Sequence, residues 1–146
     1  LTCVYVALAL VVLVAVGVIA ERHRTRRIAA GRVGETFDTF VAGFSSGDAP
    51  PEVLRAVYAQ LQDWCSDAVD AFPVRAEDNL RRVYGLIEED LDDQVLAVVA
   101  RCGRRLAPAE RLRAITPVET VRDFVRFVAA CPEVAEPGAA ADGPRP

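Results

Sequence analysis

The first twenty residues, LTCVYVALALVVLVAVGVIA, carry no charge and place only Thr2 and Gly17 outside the apolar set. As an α-helix rising 1.5 Å per residue, such a run reaches about 30 Å, the thickness of a bilayer's hydrocarbon core. A helix that is apolar on every side has no face to turn toward water, and a chain of 146 residues has little protein with which to cover it. The run predicts a single transmembrane anchor over residues 1–21. Directly after it comes ERHRTRR, which packs Arg22, Arg24, Arg26 and Arg27 into six positions, and no charge precedes the run. Arginine beside a span marks the cytoplasmic side, whereas a cleaved secretory signal carries its basic residues ahead of the apolar stretch. The expected topology is a single pass with a cytoplasmic C-terminal domain. The same membrane-proximal arginines also suit anionic lipid headgroups.

Composition then bounds the part of the chain beyond the anchor. The chain is 52% hydrophobic and holds a net charge of −4, from 17 Arg and no Lys against 21 acids. The apolar excess sits in the first twenty residues, so the remainder has the content of an ordinary soluble domain. That argues against global disorder, a multidomain enzyme, a basic nucleic-acid binder and a disulfide-stapled miniprotein. Residues 22–34 read as a basic juxtamembrane linker, residues 35–131 as one domain, and the Pro-, Gly- and Ala-rich residues 132–146 as a disordered tail.

Chemistry-bearing side chains are sparse. Cys3 falls in the anchor, and Cys65, Cys102 and Cys131 stand at separations that match no zinc or redox spacing. Each of the latter three lies among apolar residues at helical spacing and reads as a small buried hydrophobe. The single histidine, His23, is held at the membrane edge, which leaves neither a histidine metal cluster nor a catalytic triad. No enzyme activity, cofactor or metal is expected, and the oligomeric state is not legible.

Helical periodicity dominates the domain. Phe37, Phe40, Val41 and Phe44 suit a short amphipathic helix. Residues 51–69 carry Val53, Leu54, Val57, Tyr58, Leu61, Trp64, Cys65 and Ala68 on one stripe, with Asp48 ahead of Pro50 and Pro51 marking the start. A long loop follows, anchored by Phe72, Val74 and Leu80, in which Asp78 is the expected cap of a short turn. Leu91, Val95, Val98 and Cys102 then define a helix ended by Gly103. Glu88, Glu89, Asp90, Asp92 and Asp93 crowd its first turns, where the positive end of the helix dipole favours them. Residues 108–114 allow a short helix through Leu112. Thr116, Pro117 and Glu119 compose a capping-box start for a last helix whose buried stripe is Val118, Val121, Phe124, Val125 and Val128. The expected core comprises Val57, Leu61, Leu80, Leu91, Val95, Val98, Val121, Phe124 and Val128. No alternating pattern asks for a sheet.

From Val53 to Val128 this order of parts resembles an acyl carrier protein, on the segments VRAEDNL (74–80), YGLIEEDLDD (84–93) and ITPVETVRDFVRFV (115–128). The resemblance implies an all-α, acyl-carrier-like four-helix bundle preceded by the single transmembrane helix. It also implies that the position of the serine that bears phosphopantetheine is held here by Asp90. A carboxylate offers no hydroxyl for the phosphodiester, and residues 85–95 contain no Ser or Thr. The resemblance thus speaks for fold more than for the carrier role.

Carrier proteins are recognised largely through the acidic helix that survives here. Residues 35–131 hold 11 Arg against 17 acids, a net −6, enough to steer a cationic surface. The expectation is a membrane-anchored, non-catalytic interaction module that presents Glu88, Glu89, Asp90, Asp92 and Asp93 to a basic protein partner. The alternative is a carrier component of acyl or lipid metabolism with a non-standard attachment site.

Overall fold

The computed structural model describes residues 2–108 and 117–134, and these are all-helical, with six helices and no strands among the described residues. The helix α1 (Thr2–Ala30) is long and apolar enough to cross a membrane, and none of its apolar stretch is buried against the rest of the chain. It is followed by α2 (Phe37–Ala42), α3 (Pro51–Cys65), α4 (Leu80–Tyr84), α5 (Glu88–Arg101) and α6 (Val121–Ala130).

The helices α3, α5 and α6 pack against one another in all three pairings and form the core of the domain. Val57 and Leu61 of α3, Val95 and Val98 of α5, and Val121, Phe124 and Val128 of α6 are buried there, with Leu80 of α4. Removing each such side chain from water contributes on the order of 2 kcal/mol. Leu91 departs from expectation: in the first turn of α5, it lies half-buried and packs against the core without entering it. Phe72 and Val74 are fully buried, so the loop between α3 and α4 is a packed part of the domain. On the other flank, Phe37 and Phe40 meet Tyr58 of α3 and Phe44 meets Phe40, an aromatic cluster with ring centroids 5.0–6.1 Å apart that seats α2.

Three boundaries fall elsewhere than the sequence suggests. The last helix begins at Val121, not after Thr116. Thr120 is its cap: its Oγ1 accepts from the Asp123 backbone N–H at 3.2 Å, and Asp123 Oδ2 accepts from the Thr120 N–H at 2.9 Å. Pro117, Val118 and Glu119 precede that helix, while Thr116 and the expected helix at Leu112 lie outside the described residues. Secondly, α3 stops at Cys65, and Trp64 turns away from the buried stripe with 39% of its surface exposed. Thirdly, the cap of α4 is Asn79, whose Oδ1 accepts from the Arg82 N–H at 2.9 Å. Asp78 is engaged elsewhere. Where a tail was expected after Cys131, the chain stays paired through Val134, whose N–H donates to Gly103 O at 2.9 Å. Buried Arg104 backs this pairing by donating to the carbonyls of Ala129 and Cys131 and to Glu133.

The basic stretch is the largest departure. It is not a linker: α1 continues as helix through Ala30, turns at residues 31–34, and its last turns lie on the domain. Thr25 is buried, with its hydroxyl donated to Glu21 O, and Ile28 and Ala29 pack against the hydrophobic core.

Candidate functional site

Two clusters of polar side chains bear most directly on function: the head of α5, and the junction between α1 and the domain.

The sequence GLIEED leads into α5 through Gly85, whose φ of +70° is the left-handed turn that glycine adopts without cost. Leu86 is buried and Ile87 serves as the N-cap residue, so Glu88 opens the helix. Ile87 has no side-chain acceptor, and only half of a capping box forms: Asp90 Oδ2 accepts from the Ile87 N–H at 3.3 Å. Asp90, the residue set against the carrier serine, thereby has a structural role at the helix start. Glu88, Glu89, Asp92 and Asp93 are exposed, Asp90 is half-buried, and none of the five pairs with a basic group among the described residues. Leu96, one turn beyond Asp92 and Asp93, is 50% exposed, as is Ile87 at the helix head. The outer face of α5 is therefore a carboxylate patch with an apolar residue at each end, on a helix held from behind by Val95, Val98, Val99 and a Gln60–Gln94 hydrogen bond to α3.

At the junction, Arg32 reaches back from the turn after α1 and donates to both oxygens of Asp78, at 2.6 and 2.7 Å, and to Pro73 O at 2.9 Å. Asp78 is 5% exposed and also accepts from the Arg75 N–H at 3.0 Å and the Tyr84 hydroxyl at 2.9 Å. A buried carboxylate with four donors is satisfied, and its partner guanidinium rests over the Phe72 ring. Burial, and then the Asp78 charge, drive the Tyr84 phenol far above its ordinary range, so it stays protonated and donates to Asp78. Nearby, the Arg75 hydrogen bonds hold the Glu35 carboxyl below the usual carboxylate range.

The arginines that follow the apolar run divide. Arg24 donates to the carbonyls of Arg82 and Val83 and pairs with Glu21, and Arg26 donates to Ala68 O at 3.0 Å. Arg22 lies 3.9 Å from Asp67, and Arg27 is exposed. Two of the four thus dock the helix onto the domain, a role that charge patterning alone does not reveal because the acceptors are backbone carbonyls some 42 to 59 residues away. Burial, the largest influence, pushes the Cys65 thiol up to about 11, as expected of an inert buried cysteine. Cys131 is buried too, while Cys102 is only half-buried. Among the described residues, no group of three His, Cys, Asp or Glu side chains is arranged to hold a metal ion.

No known protein family matches the chain, and neither does a curated protein or a solved structure. What these two places can do is read from their own side chains.

Proposed function

We propose that this chain is a membrane-anchored, non-catalytic interaction module of acyl-carrier-like architecture, which presents the acidic face of α5 to a basic protein partner on the cytoplasmic side of a bacterial inner membrane. One observation carries this reading: four exposed carboxylates at the head of a well-seated helix, unpaired among the described residues and flanked by exposed Ile87 and Leu96. Carboxylates that serve only the helix dipole need occupy only the first turn, yet Asp92 and Asp93 lie beyond it. A charged patch with apolar anchors at its margins suits steering followed by short-range contact.

The anchoring rests on the length and apolarity of α1 and on the arginines that follow it. The absence of a carrier role rests on the acids at the head of α5, which offer no hydroxyl to a phosphopantetheinyl transferase. Incubation with such an enzyme and coenzyme A is expected to leave the intact mass unchanged, and a gain of one pantetheine arm would restore the carrier alternative.

The direct test places a photo-crosslinking residue at Asp92 in native membranes, with one at Arg55 on α3 as the control. Adducts are expected at position 92, diminished by raised salt and by the double reversal Glu89→Arg/Asp93→Arg, which spares the capping Asp90. Equal adducts in the reversed variant would refute the acidic-face reading.

A further inference from the structure

A groove of about 390 Å³ opens between α1 and the domain, lined on one wall by Val18, Glu21, Arg22 and Thr25 and on the other by Trp64 and Asp67. Its position along α1 is informative. From Val18 to Thr25 the helix rises about 10 Å, and the twenty-residue apolar run ends between them. The headgroup region adds roughly 5–7 Å outside each face of the hydrocarbon. A groove walled by those turns therefore opens at the level where acyl chains give way to headgroups.

Trp64 suits that level. Its indole N–H is already donated to Tyr84 O at 2.9 Å, while 39% of the residue is left uncovered by the chain. Tryptophan with a satisfied polar edge and an open apolar ring is the side chain favoured at membrane–water boundaries. Around it the groove mixes Val18, Cys65 and Ala68 with one guanidinium and two carboxylates, a blend that suits a zwitterionic headgroup layer better than a protein core. The orientation is not left to a tether, since Arg24, Arg26 and Arg32 tie the end of α1 to the domain.

We propose that this groove seats bilayer headgroups and that Trp64 lies at the hydrocarbon–headgroup boundary beside α1, so that the domain rests on the membrane surface in one fixed attitude. The proposal rests on the reading of α1 as a membrane span and adds to it the depth and face of the domain.

Trp64 is the only tryptophan in the chain, so its fluorescence reports this site alone. The full chain is reconstituted in phosphatidylcholine vesicles that carry a spin-label quencher either on the headgroup or deep in the acyl chain. The headgroup label is expected to reduce Trp64 emission at least about twofold, and the deep label distinctly less, as befits an interfacial ring. Equal or stronger quenching from the deep label overturns the proposal. So does the absence of quenching from both labels in protein that resists alkaline extraction, which would leave α1 in the bilayer with the domain held off it. Release of the protein by alkaline extraction would overturn the proposal together with the membrane reading.

Discussion

Arg32 and Asp78 stand 46 residues apart in sequence, and their pairing decides how the domain is attached. Truncating one partner of a buried pair leaves the other charge in a medium that solvates it poorly, at a cost of about 3–5 kcal/mol. Arg32→Ala is therefore expected to lower the thermal unfolding midpoint of the detergent-solubilised protein markedly. Arg32→Met combined with Asp78→Asn should lower it less than Arg32→Ala alone, because no orphaned charge remains. Greater loss in the double variant would contradict the account. Cys65 carries a second expectation. In the unfolded chain its thiol ionises near about 8.5, whereas the folded protein retains the proton up to about 11. The stability linked to this group is present below the lower value and declines as pH rises through that window. Alkylation followed by intact mass at neutral pH is expected to leave Cys65 unmodified until denaturant is added.

Among the elements, the three bundle helices could be found from their 3.6-residue stripes because burial imposes that period directly on the sequence. Their ends depend on more than that period. Thr116 and Glu119 have the spacing of a capping box, yet Thr120 and Asp123 form the one at the start of α6, where Thr120 also pairs with Asn79. Thr120→Ala is accordingly expected to destabilise the fold by about 1 kcal/mol in chemical denaturation. At the other critical turn, Gly85 combines a φ of +70° with a close neighbour: an added Cβ would lie 3.2 Å from Glu21 Oε1. Gly85→Ala should cost about 1–2 kcal/mol from the left-handed conformation alone. It should also disturb the contact with α1, detectable as a shift in Trp64 emission. An unshifted midpoint and spectrum would show that the turn relaxes freely.

For the molecule as a whole, a helix runs unbroken from the apolar segment to Ala30, and Arg24, Arg26 and Arg32 tie its last turns and the turn that follows to the domain. Trypsin offers a simple check, because Arg22, Arg24, Arg26, Arg27 and Arg32 would make a flexible linker the first place cut. Cleavage there is expected to be slow in the intact protein and at least about tenfold faster in Arg32→Ala, as local opening becomes cheaper. Rapid cleavage of the unmodified chain would mean the stem is not docked. The apolar helix, the all-helical class, eight of nine expected core residues and the acidic head of α5 were all legible in the chain, for they depend on composition and on period within a few turns. Packing alone settled that Asp78 is a buried anchor rather than a cap, that Trp64 faces outward, and that arginines beside the apolar run grip the domain. Each of those outcomes depends on partners dozens of residues away, and no local pattern records which distant carbonyl or carboxylate the fold will bring within reach.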